Sequence, residues 1–233
     1  AVVTTVHVLG RGPIADAVVA GLAASPLTVI ERPGAAASRT TGPDDDRSRC
    51  DIALLTDDMA PDPAVVTRLV RTRTPHLQVR LRDGRGIVGP FVLPGVSSCL
   101  RCADLFRCSA DPQWPHVSAQ LLGRVGEADR PTVLAAAAIT LAQIEAFADG
   151  RRAPLQDTTV EIDLNDSSVS RRTWSRHPRC DCSLLRRAEQ GSHQRCRQDS
   201  APSDMMEPCQ IFLAGAPPVL PSSLASRSAS PAV

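Results

Sequence analysis

Two cysteine pairs constrain this chain more than any other feature. Cys99-Leu-Arg-Cys102 follows a Leu-Pro-Gly turn, Cys180-Asp-Cys182 follows His-Pro-Arg, and residues 103–179 lie between them. Four thiolates delivered by two distant turns make a closed tetrahedral zinc site, so segments remote in sequence must meet in space. The first pair has the usual knuckle spacing, and the second is one residue tighter. Disulfides or buried free thiols are the alternatives. A disulfide across Cys-x-Cys is strained, and the sequence shows no secretory signal, so structural zinc is the expectation.

The 26 basic residues are all arginine. Without lysine, no side chain can form a Schiff base or act as the phosphate-binding lysine of a P-loop. A net charge of +1 gives no electrostatic case for nucleic acid or an anionic membrane. The longest apolar run, residues 133–144, is short for a membrane span and contains Gln143. No nucleic-acid or membrane partner is expected. The chain starts at Ala1 and enters a strand almost at once, and an N-terminal portion is expected to be missing.

Residues 4–9 are β-rich and run into Gly10-Arg-Gly12-Pro-Ile-Ala15, followed by helical spacing over 14–24 and a strand over 27–31. Residues 33–49 lack periodicity and are predicted to be a loop. A short buried strand is predicted at 52–56 and an amphipathic helix at 62–73, entered by Asp-Pro. Residues 77–82 alternate, and Asp83-Gly84 predicts a hairpin. Helical segments follow near 102–108 and 116–124, then a long one over 130–148 stopped by Gly150. Residues 158–164 and 169–174 predict an antiparallel pair around Asn165-Asp166. The folded α/β domain is expected to span 1–188. Residues 189–233, rich in Pro and Ser with no apolar period, are expected to be a disordered tail.

A strand, a Gly-x-Gly turn and a helix can lay a phosphate on a helix N-terminus. Gly10 and Gly12 supply the turn, and Glu31 stands where a ribose-binding carboxylate usually sits. Asp57 ends a strand at the same sheet edge, suited either to Mg²⁺ on a triphosphate or to capping a helix. A tight turn with no ligand is the competing reading. His7 is expected in the core, and His177 either donates a hydrogen bond near the second knuckle or is exposed. Cys50 and Cys108 lack metal-like partners, and no catalytic residue is assigned.

With the glycine turn, Thr56-Asp57, both cysteine pairs and the Ala-rich helix in this order, the chain resembles the ThiF/MoeB superfamily of ubiquitin-activating-type adenylyltransferases. Within it, the chain is most similar to ThiF-like proteins that accompany YcaO cyclodehydratases in thiazole/oxazole-modified microcin pathways. The stretch from Val88-Gly-Pro-Phe through Cys102, with Asp104, Arg107, Asp111-Pro-Gln-Trp114 and Ala119-Gln-Leu, carries the resemblance, as does His177-Pro-Arg-Cys-Asp-Cys182. It implies a ThiF-type doubly wound, Rossmann-like sheet with a C-terminal antiparallel extension and a zinc knuckle at Cys99, Cys102, Cys180 and Cys182. It also implies a homodimer in the cytoplasm, a precursor-peptide partner and a YcaO partner. Active superfamily members bind ATP and Mg²⁺, here through Gly10, Gly12, Glu31 and Asp57. They also use an Asn-Leu-x-Arg stretch and a phosphate lysine, and both are absent from this sequence. The resemblance therefore implies a non-catalytic partner, with an adenylyltransferase as the alternative.

Overall fold

The computed structural model describes residues 4–23, 28–31 and 50–183. The expected loop at 33–49 and tail at 189–233 lie outside these residues. A mixed seven-stranded open sheet runs in the order β2-β1-β3-β4-β5-β6-β7. Strands β1 (Thr4–Leu9), β2 (Thr28–Glu31), β3 (Ile52–Asp57) and β4 (His76–Arg82) pair in parallel. Strands β5 (Arg85–Val92), β6 (Thr158–Asp163) and β7 (Ser168–Thr173) extend the sheet antiparallel. The chain changes mode at Asp83-Gly84, where both residues have positive φ and close the two-residue hairpin between β4 and β5.

Helices cover both faces. On one face, α1 (Pro13–Leu22) and α5 (Arg130–Ala148) pack on each other and on the sheet. Pro13 starts α1 with a preset φ, and Ile14, Ala15, Val18 and Leu22 form its buried stripe. They meet Val6, Val8, Leu54, Leu77, Val79, Leu81 and Phe91 of the sheet in the larger core. Each such Leu or Val side chain contributes roughly 1.5–3 kcal/mol by leaving water. Asp129 caps α5 by accepting the Thr132 amide, and the small residues Ala136 and Ala137 let the helix lie close to β5.

By length and composition α5 could cross a bilayer. Its buried face and its ties belong to a core helix, however. Gln143, 3% exposed, accepts the Leu155 amide through Oε1 at 2.8 Å. On the opposite face, α2 (Pro63–Arg71), capped by Asp62, and α3 (Leu100–Ala110) enclose a second core. It joins Val65, Val66 and Leu69 to Val92, Leu100 and the four knuckle cysteines. The short helix α4 (Trp114–Gln120) begins two residues earlier than its sequence suggests, because Pro115 is tolerated in a first turn. None of its residues is buried.

Candidate metal centre and glycine turn

Cys99 is the N-cap residue of α3 and Cys102 lies in its first turn, while Cys180 and Cys182 flank the start of a 3₁₀ turn at Asp181–Ser183. The four sulfurs lie within 4.8 Å of one another, all on buried residues. Cys99 Sγ is 3.7 Å from that of Cys102 and 3.6 Å from that of Cys180, and Cys102 Sγ is 3.4 Å from that of Cys182. These are free thiols. Sulfurs placed 2.3 Å from a central ion in a tetrahedron are roughly 3.8 Å apart, so this set can hold a metal ion with little movement.

The two segments are brought together by more than the cysteines. The Arg176 guanidinium donates to the carbonyls of Gly95, Val96 and Ser97, clamping the turn that leads into the first pair. Asp157 accepts the Ser98 amide at 2.6 Å, and Arg101 pairs with Asp181 at 3.2 Å. His177 is 7% exposed and shapes the second knuckle. Its Nδ1 accepts the Arg179 amide, its carbonyl accepts the Cys180 amide, and Phe106 packs edge-on against its ring at 4.7 Å.

The electrostatics of the cluster are those of a site needing a cation. Hydrogen bonds from the Cys182 and Cys99 thiols hold Cys102 well below the usual thiol range, helped by backbone hydrogen bonds at Cys99 and His177. By the same contact Cys182 is pushed up to about 12, and Cys99 is driven up by its bonds to Cys102 and Cys182. One thiolate can form, supported by its neighbours' protons. Further ionisation requires positive charge among the sulfurs, and metal binding would then release protons.

The glycine turn is arranged differently. It lies at the carboxyl ends of β1 and β3, where strand order reverses and ligands of open α/β sheets bind. A Cβ on Gly10 would stand 2.2 Å from the Thr56 carbonyl oxygen, and one on Gly12 2.6 Å from the Asp57 carboxylate, so the backbone is pressed against the end of β3. Asp57, 1% exposed, fills the helix N-terminus itself. Its Oδ1 accepts the Ile14 amide and its Oδ2 the Ala15 amide, each at 3.0 Å. Pro13 has no N–H, and the Asp16 amide bonds the Gly12 carbonyl. The first turn of α1 thus has every amide engaged. Of the four nucleotide-site candidates, Gly10, Gly12 and Asp57 come together. Glu31 ends β2 beside His7 of β1, and its side chain lies outside the described set.

Asp104, Arg107 and Trp114, from the stretch that carries the resemblance, form a polar group on the α3 side of the sheet. The guanidinium of Arg107 lies between the rings of Trp114 and Trp174, 5.1 and 5.0 Å from their centroids. Asp104 Oδ1 accepts from both Arg107 and Trp114. Trp114 therefore braces α4 against α3. Beneath it lie Gln78 and Arg80 of β4. Their alternation with Leu77, Val79 and Leu81 signalled a face, but not what covers it.

No family model matches the chain, and no curated protein is significantly similar to it. Solved structures share its fold. A complex of E. coli MccB with MccA-N7isoASN superimposes with a TM-score of 0.55 at 17% identity, covering 77% of this chain and 67% of that one. E. coli MccB with ATP gives 0.55 at 16%, covering 77% and 66%. The heterocyclase TruD gives 0.55 at 14%, covering 78% of this chain but 28% of its own. The chain spans about two thirds of MccB and little more than a quarter of TruD, and at these identities the likeness is one of fold.

Proposed function

We propose that this chain is a ThiF-like, non-catalytic partner in bacterial peptide modification, binding a precursor peptide and assisting a YcaO-type cyclodehydratase. The observation that carries the reading is the filled helix N-terminus. A fold shared with a peptide-modifying MccB and a heterocyclase holds, at its nucleotide edge, a turn whose amides are bonded to Asp57. The chain also lacks lysine. Stabilising a transferring phosphoryl or adenylyl group depends on such donors and cations. Arginine does not reproduce the compact ammonium.

In this reading Cys99, Cys102, Cys180 and Cys182 hold a structural zinc, closed to catalysis by its four thiolates. The domain ends near residue 188, and the protein works in the cytoplasm as a homodimer. The test is reconstitution: YcaO protein, precursor peptide and ATP, with and without this chain. Conversion that requires the chain, together with no ATP–pyrophosphate exchange by the chain alone, supports the proposal. Exchange by the isolated chain that Asp57→Ala abolishes would establish the alternative, an ATP- and Mg²⁺-dependent adenylyltransferase, the reading favoured by the likeness to the ATP-bound MccB structure.

A further inference from the structure

A cavity of about 300 Å³ lies between β4 and helices α3 and α4. Trp114 and Leu122 line its α4 side, Pro90 lines its β5 side, and Gln78, Arg80, Arg107 and Asp104 supply polar atoms, the last already bonded to Arg107 and Trp114. The volume is at the small end of the range for ligand sites, and apolar walls with a few convergent polar groups are their usual make-up.

Two of those polar groups are unanswered. Gln78 is 5% exposed, and its Nε2 has no hydrogen-bond partner among the described residues. Arg80, half-buried, makes no hydrogen bond and no ion pair among them either. The carboxylates whose charges act on it, Asp104 and Glu161, hydrogen-bond other partners. Asp104 holds Arg107 at 2.8 Å and Trp114, while Glu161 holds Arg82 at 3.3 Å and Arg85 at 3.0 Å. Burial, with Arg107 and Arg82 nearby, lowers Arg80 to about 10 despite the charges of Asp104 and Glu161. A buried donor without an acceptor is costly, and Gln78 is one; Arg80 stands two positions along the same strand, facing the same cavity.

We propose that this cavity is a carboxylate-binding site: Arg80 and Gln78 take the oxygens of a carboxyl group, and Trp114, Pro90 and Leu122 enclose the apolar stem that carries it. The buried unpaired atom of Gln78 and the Arg80 guanidinium are both donors, which favours a ligand that is an acceptor. The guanidinium fork matches the planar carboxylate, and the aromatic wall suits a hydrophobic stem. The site does not rest on the peptide-modification reading, because a chain terminus and a small free acid present the same group.

The test is calorimetric titration of the full chain with N-acetylphenylalanine, its amide, a tetrapeptide ending in free phenylalanine, and inorganic phosphate. The acid is expected to bind at least tenfold tighter than the amide. Arg80→Gln should weaken it roughly 10- to 100-fold, as expected for a charged hydrogen bond, with an unchanged circular-dichroism melt. Should Arg80→Gln fail to fold, Gln78→Leu is the second variant, expected to cost about tenfold. Tighter binding of the tetrapeptide assigns the carboxylate to a chain terminus, and equal affinity assigns it to a free acid; the site stands in both cases. Equal binding of acid and amide, tighter binding of phosphate, or unaltered binding by a folded Arg80→Gln or Gln78→Leu overturns it.

Discussion

The glycine turn and the cysteine cluster both gather polar atoms at one place, yet they engage them differently. At the turn, Asp57 supplies the negative charge that a helix N-terminus attracts, and both free amides are spent on it. At the cluster, four thiols lie within 4.8 Å and bond one another, and ionising them together calls for a cation. The difference teaches that a motif's shape and its capacity are separate things. The turn keeps the geometry of a phosphate cradle with its donors occupied, whereas the cluster's sulfurs bond one another and keep lone pairs for a cation.

The largest effect that can break this comparison is at the cluster. Cys180→Ser is expected to remove about one zinc per chain and to cost more than about 4 kcal/mol in the presence of metal, because binding free energy at such a site is folding free energy. Metal analysis and chemical denaturation measure both. A wild-type protein that is fully stable and metal-free would make the two regions alike.

At the start of β4 lies a buried group whose charge neither region supports. His76 is fully buried, its Nδ1 paired with the Thr74 carbonyl and its Nε2 without a partner among the described residues. Burial lowers its pKa from 6.5 to about 4. Between those values the unfolded chain binds more protons than the folded one, so stability falls as pH drops from 6.5 towards 4, by about 3 kcal/mol in all, and is flat above the window. Denaturation across pH should show this slope in wild type. A His76→Gln variant should lose this part of the slope, leaving whatever the thiols contribute.

At the turn, Asp57→Ala should cost about 2 kcal/mol, the scale of a lost N-terminal cap whose buried amides are left unpaired. The melting temperature reports it. A stabilised variant would mean that the carboxylate is held at the turn for a ligand's sake. The smallest effect is expected from truncation after Arg187. Melting temperature and metal content should stay unchanged, and a loss of either would place part of residues 188–233 in the support of the cysteine region.

Much of the scaffold was legible because its signals are local. The strand–glycine–helix opening, the Asp83-Gly84 hairpin and the helix entry at Asp62 each depend on residues a few positions apart. The cysteine pairs carried a long-range contact in their spacing alone. Asp57 was read as either a metal ligand or a cap, and only the placement of α1 shows its two amides on the carboxylate. Arg80 was hidden for a similar reason. Period-two alternation put it on one face of β4, but what roofs that face, Trp114 and its brace on Arg107, comes from much later in the chain. His177 shows the same limit at closer range. Its ring shapes the knuckle turn, and it is its backbone that bonds Cys102.

The position of the cysteine pairs also has a mechanical consequence. Cys102 precedes α5, β6 and β7, and Cys180 follows them. With an ion bound, tension applied between β1 and the 3₁₀ turn at Asp181–Ser183 would pass from one knuckle to the other through metal–sulfur bonds. Residues 103–179 would then hang slack from the line of force, and the parallel strands β1 to β4 would be loaded first.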